Sequence, residues 1–213
     1  MPRKTAIAFL ALALIALVAP APGQTEKTRP EIGAVERLQN QATASYDGAE
    51  RPLALAAPVM FEDMLRTGAG ARLTSRLVDD SLLTLGENAS MIIDRFVYDP
   101  DADSRTVILR NAAGAFLLAV ENLGNTPENQ VEVHTPVAVI GIRGTTVWGG
   151  EIDDGYGVLA LDGTVTVTTD AGITTLRPGE GVTIVAPSEP YPVAVWDTAK
   201  VARAVATVSY DGD

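Results

Sequence analysis

Residues 131–135 read Val131-Glu132-Val133-His134-Thr135, and their side chains alternate between two characters. Successive side chains of a β-strand point to opposite faces of the sheet. Val131, Val133 and Thr135 are therefore predicted to share a buried face, and Glu132 and His134 a solvated one. The segment is predicted to be a strand that belongs to a sheet with one wet face.

Downstream of this segment, strand-like runs and turn signals alternate. Residues 164–168 read Thr-Val-Thr-Val-Thr and follow the turn signal Asp162-Gly163. Further β-prone runs follow at 173–176 and 182–185, and a Pro-Gly turn at 177–181 separates them. This half of the chain is predicted to be a series of short strands.

In the upstream half of the chain, strand-like runs are likewise separated by turn-forming residues. Runs at 72–77 and 81–85 flank Asp79-Asp80, and a third begins at 91–93, which predicts a meander. Short strands at such regular spacing favour a sandwich, a barrel or a β-roll over helical or βαβ folds.

The sequence predicts one short helix, at the C-terminus. Asp197 or Thr198 can cap its first turn, and Val201, Val205 and Val208 recur near helical spacing among alanines.

The first 23 residues have the layout of a secretory signal peptide. A basic start is followed by apolar residues 5–18, shorter than the roughly 20 residues that span a bilayer. Small residues at Ala21 and Gly23 offer a cleavage site before Gln24. An uncleaved anchor is the alternative, because two prolines near that site can impair cleavage. Polar residues 24–31 are predicted to be a flexible leader.

The amino-acid composition excludes some classes of binding partner. The 16 basic residues fall to 14 on signal removal, against 27 acidic ones, so the net charge moves from −11 to −13. Such a chain repels phosphate backbones and anionic lipids, so no nucleic acid partner is expected.

No later stretch is apolar enough to span a bilayer, and no stable membrane insertion is expected after signal cleavage. With no cysteine, there is neither a disulfide nor a lipoprotein anchor.

Three stretches, taken together, resemble the FecR domain of bacterial exported proteins. The third, His134-Thr135-Pro136-Val137-Ala138-Val139-Ile140-Gly141-Ile142-Arg143-Gly144-Thr145, is the most specific. The full set spans roughly 53–184, most of the mature chain. It comprises residues 65–73 with 83–90, residues 111–118 around Gly114-Ala115-Phe116, and residues 134–145 with 161–167 and 176–180.

The resemblance implies an all-β fold, either an antiparallel β-roll or sandwich or a short β-solenoid-like domain, with one short C-terminal helix. We assign 32–195 to this FecR-like domain and 196–213 to the C-terminal helix and tail. Residues 32–46 also suit a helix, but the resemblance favours a hairpin there.

The family motif supplies the candidate site residues, with a structural or partner-facing role: Thr135, Pro136, Gly141, Ile142, Arg143, Gly144 and Thr145. Arg143 is the one charge in an apolar run, so it either pairs with a buried carboxylate, which we favour, or faces a partner. Gly141 and Gly144 permit positive φ and a tight backbone path.

No catalytic, cofactor or metal residues are predicted. His134 is the only histidine and lies on the wet face of its strand, which disfavours both a nucleophile–base pair and a zinc site. Asp99, Asp101 and Asp103 have the spacing that begins a calcium loop. That loop's glycine and final glutamate are replaced by Ser104 and Arg110, so a solvated turn is expected instead.

The best-known FecR-domain proteins are anti-sigma regulators with a cytoplasmic sigma-binding segment and one transmembrane helix. Only four residues precede the apolar stretch here, so we expect a stand-alone protein in the periplasm or secreted by a Gram-negative bacterium. The expected function is non-enzymatic binding or scaffolding with an exported protein or cell-envelope component. The alternatives are a sensor that acts through a separate membrane partner and, less favoured, a carboxylate-dependent hydrolase of an envelope polymer.

Overall fold

The computed structural model describes residues 29–101, 104–120, 129–185 and 192–213. The predicted signal peptide, residues 24–28 of the predicted leader and Asp103 lie outside these ranges. No helix within the ranges is both long and apolar enough to cross a membrane.

The described residues form short strands and one helix. Their bounds are β1 Glu31–Gln39, β2 Ala42–Tyr46, β3 Ala49–Pro52, β4 Pro58–Met60, β5 Met64–Thr67, β6 Arg72–Leu77, β7 Leu82–Leu85, β8 Ser90–Asp99, β9 Ser104–Ala113, β10 Phe116–Ala119, β11 Asn129–His134, β12 Val139–Arg143, β13 Thr146–Ile152, β14 Gly155–Ala160, β15 Thr164–Thr169, β16 Gly172–Leu176, β17 Glu180–Ile184, β18 Ala194–Val195 and α1 Thr198–Ala206.

The strands of the described ranges lie in two sheets of nine. The first sheet has the order β18-β17-β14-β13-β10-β7-β6-β1-β4, and the second has the order β16-β15-β12-β11-β9-β8-β5-β2-β3. Neighbouring strands are antiparallel except β9 and β11, which are parallel. The chain visits the two sheets alternately, one or two strands at a time, and so advances from one end of the fold to the other. The predicted all-β fold with a short C-terminal helix is confirmed.

The main core lies between the two sheets. Leu83, Phe116 and Val147 of the first sheet belong to the same buried cluster as Leu109 and Ile140 of the second. Each of these side chains has at most 1% of its surface exposed. The two sheets therefore form a sandwich that buries one face of each.

The predicted hairpin at 32–46 is wrong in its pairing. Strands β1 and β2 do form, but β1 pairs with β4 and β6 in the first sheet, whereas β2 pairs with β3 and β5 in the second. The chain crosses between the sheets at Asn40, which has a φ of 56°. A turn signal reverses or redirects a chain in either case, so it does not distinguish a hairpin from a crossing between sheets.

The predicted meander is right for two of its three strands. β6 and β7 are antiparallel neighbours, but β8 pairs with β5 and β9 in the second sheet. Downstream, β15 and β16 likewise pair, and β17 lies in the first sheet beside β14.

Helix α1 covers the outer face of the first sheet. Asp197 is its N-cap and accepts a hydrogen bond from the Lys200 backbone at 2.8 Å. A second buried cluster beneath the helix joins Trp148 and Leu159 of the sheet to Trp196, Ala204 and Val208. Both tryptophans are buried.

The C-terminal tail continues across the first sheet toward β1 and β6. Tyr210 donates a hydrogen bond to Thr74, and Asp213 forms an ion pair with Arg37 at 3.0 Å. At the other end of the chain, Arg29 donates to an oxygen of the buried Asp63 at 2.8 Å. The last residues of the predicted leader are therefore held by the fold, and β1 begins at Glu31.

Candidate functional site

The predicted motif begins at the tip of the β11–β12 hairpin. Thr135 organises this turn: its hydroxyl oxygen accepts hydrogen bonds from the amides of Val137 and Ala138 at 3.3 and 3.0 Å, and its own amide donates to the Ala138 carbonyl at 2.9 Å. Pro136 lies exposed at the tip, where its ring suits the first corner of a turn.

The middle of the motif is structural. Ile142 is 2% exposed and belongs to the main core. Gly141 does not have positive φ, contrary to the expectation, but a Cβ at this position would lie 2.5 Å from the Thr166 hydroxyl on β15. The glycine is thus required by close approach between neighbouring strands.

The end of the motif is a tight crossing between the sheets. Gly144 has a φ of 51°, in the left-handed region that glycine adopts without strain. Gly163 faces it, and a Cβ on Gly163 would lie 2.6 Å from the Gly144 carbonyl oxygen. Thr145 is 2% exposed between them. This pair of glycines allows two backbone segments to touch.

Arg143 ends β12 and is exposed, so its guanidinium is not enclosed in the way that the favoured pairing with a buried carboxylate required. A buried pair occurs elsewhere: Arg105 on β9 bonds Asp79 at 2.9 Å, with side-chain exposures of 2% and 0%. Arg105 lies on the inward face of its strand with Val107 and Leu109. A charge at an inward position of an alternating strand is the signal that could have identified this pair.

The seven motif residues therefore do not form one site. The turn with Thr135 and Pro136 and the crossing with Gly144 and Thr145 lie at opposite ends of β12, whose five residues span roughly 16 Å. Of the seven, Pro136 is the one that lines a cleft large enough for a ligand group.

This cleft, of about 590 Å³, lies between two hairpin tips. The β11–β12 tip of the second sheet forms one wall, and the β13–β14 tip of the first sheet forms the other. Its lining residues divide into an apolar floor and an acidic rim. The floor comprises Pro136, Val137, Ile152, Tyr156 and Ile184, and the rim comprises Glu151, Asp153 and Asp154.

The floor is held in place by a partly buried hydrogen bond. The Tyr156 hydroxyl donates to the Asn111 side-chain oxygen at 2.9 Å, and the Asn111 amide donates to the Ala113 carbonyl at 3.0 Å. Burial raises the pKa of Tyr156 far above its usual value, and the nearby Glu151 charge acts in the same direction. The phenol is therefore a fixed, protonated donor, and its ring is a rigid part of the cleft.

The three rim carboxylates differ in their partners. Asp153 bonds both Lys200 and Arg203 of α1 at 2.8 Å, and the hydrogen bond from Lys200 holds its pKa below the usual value. The side chains of Glu151 and Asp154 are exposed and form no hydrogen bond or ion pair with another described residue. Two carboxylates of the rim are thus available to a partner.

A second cleft, of about 490 Å³, shares Asp153 with the first and follows the seam between α1 and the sheet. Lys200, which lines this cleft, already has partners within the fold. Its ammonium group bonds Asp153 and Thr183 and lies 4.3 Å from the centre of the Trp196 ring. This seam is part of the helix packing.

His134 lies half-exposed on the wet face of β11, as predicted. Its Nε2 is 2.7 Å from Glu132. Burial raises the pKa of Glu132, but hydrogen bonds from His134 and Gln130 outweigh it, and the pKa lies below its usual value. Among the described residues, no group of three or more His, Cys, Asp or Glu side chains is placed to hold a metal ion.

In the sequence, Asp153-Asp154 before Gly155 is only a polar turn pattern. Both residues have positive φ, 49° and 62°, which turns the β13–β14 hairpin tightly. What the sequence does not reveal is that this tip faces Pro136 and Val137 across the sandwich. No local pattern encodes that contact.

Comparison with known proteins extends the picture of the fold. Two crystal structures of a protein assigned as an anti-sigma factor from Parabacteroides distasonis ATCC 8503, at 1.65 and 2.50 Å resolution, superpose with TM-scores of 0.51 and 0.52 at 19% and 18% identity. Each match covers 65% of this chain and 62% of the other, so this chain spans less than two thirds of those proteins. At this identity the likeness concerns the fold.

No curated protein sequence matches this chain significantly. The family resemblance carried by the three motif stretches is nevertheless confirmed, because the model of the FecR protein family matches this chain over residues 63–166.

Proposed function

We propose that this chain is an exported, non-enzymatic module that binds another exported protein or cell-envelope component through the cleft between its two hairpin tips. The observation that carries the proposal is the composition of that cleft: a rigid apolar floor beside two carboxylates that the fold itself does not use. Mixed surfaces of this kind, apolar at the centre and polar at the edge, are typical of recognition sites.

The condition of the polar groups favours binding over hydrolysis. Acid–base catalysis by carboxyl groups depends on neighbours that tune their pKa values. In this cleft the residues with shifted pKa values, Tyr156 and Asp153, have structural roles. Tyr156 forms a hydrogen bond with Asn111, and Asp153 forms an ion pair with Lys200 of α1. Glu151 and Asp154 are exposed, which suits pairing with a partner's charge.

Export is part of the proposal. The basic start, short apolar core and small residues of 1–23 support passage through the inner membrane by signal peptide. The partner would then be met in the periplasm or outside the cell. The acidic mature chain disfavours nucleic acid and anionic lipid as that partner.

A second candidate function is a sensor of cell-surface signalling that acts through a separate membrane partner. The FecR match and the assignment of the P. distasonis protein as an anti-sigma factor favour it. The two functions share the binding step and differ in its consequence for the cell. A change in sigma-dependent transcription on deletion of the gene would support the sensor.

The test is affinity capture from a periplasmic extract with residues 24–213, which include every described residue, as bait. Val137→Trp places a large ring in the cleft, whereas Val97→Trp places the same ring on an exposed position of β8, where Val97 is 60% exposed. We expect Val137→Trp to reduce capture of a specific protein at least about tenfold, equivalent to ~1.4 kcal/mol, and Val97→Trp to leave it unchanged. Equal capture by the wild type and both variants, with matching circular dichroism, would place binding outside the cleft and contradict the proposal.

A further inference from the structure

The two unused carboxylates of the rim specify the chemistry of the ligand. Glu151 and Asp154 flank Asp153, whose charge is already balanced by Lys200 and Arg203. A group that enters the cleft therefore meets two negative charges with no cation of the fold assigned to them. We propose that the cleft binds an extended segment of a partner protein in which a lysine or arginine lies next to a large apolar residue. This inference rests on the proposed function and names the partner segment.

The apolar floor specifies the neighbour of that cation. Tyr156 lies directly opposite Ile184 of the neighbouring strand β17, and Val137 lines the cleft from the second sheet. A volume of about 590 Å³ falls in the range of roughly 300 to 1,000 Å³ typical of ligand pockets, and accommodates one or two side chains. If one leucine-sized group occupies the floor, the long side chain of a neighbouring lysine or arginine can reach the exposed rim carboxylates.

The floor is pre-organised for this contact. Tyr156 is fixed by Asn111, which is 1% exposed and bonded in turn to the Ala113 carbonyl. The rim is equally constrained, because Asp153 and Asp154 occupy a tight turn that α1 clamps through two ion pairs. A ligand that enters a preformed site loses less affinity to ordering of the protein.

The charge of the whole chain favours the same partner. With 27 acidic and, after signal removal, 14 basic residues, the chain attracts a basic segment over distance and speeds its association. A second copy of this chain fits poorly for the same reason, since two mature molecules of net charge −13 repel each other. The occupant is thus a different, locally basic protein.

The experiment uses residues 24–213 and three fluorescent hexapeptide libraries with randomised flanks. Their central pairs are Leu-Arg, Leu-Gln and Ser-Arg, and binding is measured by anisotropy at 50 mM and 500 mM salt. We expect the Leu-Arg library to bind most tightly and to weaken at high salt, because exposed ion pairs are screened. Equal binding of all three libraries would overturn the inference.

Variants then assign the charge to the rim. Glu151→Gln and Asp154→Asn should each weaken the Leu-Arg library about two- to fivefold, as expected for exposed ion pairs, and the double variant should lose most of the salt dependence. Asparagine tolerates the positive φ of position 154, so the turn is kept. Asp170→Asn, which removes an exposed charge from the tip between β15 and β16, is the matched control and should bind as the wild type does.

The outcomes separate this inference from the proposed function. If Val137→Trp abolishes capture of the partner but Glu151→Gln and Asp154→Asn do not affect it, the cleft is the binding site and the basic ligand is wrong. If Val137→Trp has no effect on capture, the proposed function fails at this cleft.

Discussion

The buried pair of Arg105 and Asp79 allows a sharp test of how the sandwich is stabilised. We consider Arg105→Met, which keeps much of the side-chain volume and removes the charge. Asp79 would then remain at 0% exposure with its charge uncompensated, although the Ser81 hydroxyl and amide still donate to it at 2.9 and 3.2 Å.

Loss of one partner of a buried pair costs about 3 to 5 kcal/mol, because the other charge stays buried. The two Ser81 hydrogen bonds offset part of this cost for Asp79, so we expect the lower end, about 3 kcal/mol. For a chain of this size each kcal/mol lowers Tm by about 2–4 °C, so the variant should melt roughly 6–12 °C below the wild type.

The assay is urea unfolding followed by circular dichroism, with thermal melts in parallel. Arg76→Met is the matched control: its partner Glu36 lies at 2.7 Å, but both side chains are about 40% exposed or more, and the expected cost is at most about 1 kcal/mol. The double variant Arg105→Met/Asp79→Asn should be more stable than Arg105→Met alone, since it leaves no buried charge. A loss below about 1 kcal/mol for Arg105→Met, or no recovery in the double variant, would refute the reasoning.

Three further predictions concern the crossing, the tail and the N-terminus. Gly144→Val should cost about 1 to 3 kcal/mol in urea unfolding because its φ is 51°, whereas Gly144→Asn should cost less; equal losses would argue against backbone strain. The pKa values of Asp153 and Asp213 lie below the ordinary 3.8 because Lys200 and Arg37 stabilise their charged forms. The contribution of these two carboxylates to folding stability is therefore present above pH 3.8, and it is lost as the pH falls through their lower folded-state pKa values. Acrylamide quenching of the two buried tryptophans should therefore rise in strong acid, and Asp153→Asn/Asp213→Asn should be quenched more than the wild type already at pH 7; unchanged quenching would mean that these ion pairs do not hold the helix. Mass spectrometry of the exported protein should find Gln24 as the first residue, and an intact N-terminus would instead indicate the uncleaved anchor.

Much of the secondary structure could be predicted because its causes are local. The alternation at 131–135 places Val131 and Val133 in the core, at 4% and 0% exposure, and leaves Glu132 and His134 partly exposed. The cap at Asp197 begins α1 where its side chain satisfies a free backbone amide.

Pairing between strands could not be predicted in the same way. The turn residues between β1 and β2, and those between β7 and β8, show that the chain changes direction there. They do not show which strand it pairs with next, because that depends on strands distant in the sequence. For the same reason the sequence could not name what lies close to Gly141, which is the Thr166 side chain on a strand 25 residues further along the chain.

Local sequence signals were enough to specify the all-β class, the strand-and-turn rhythm, the C-terminal helix and the likeness to the FecR family, because alternation, caps and turn residues act within a few positions. Three-dimensional packing was needed to establish that Arg105 is buried and Arg143 exposed, and that Pro136 and Val137 meet the Glu151–Tyr156 hairpin across a cleft. Those outcomes depend on which strands stack face to face, and stacking is selected by the burial of the whole core rather than by any one segment.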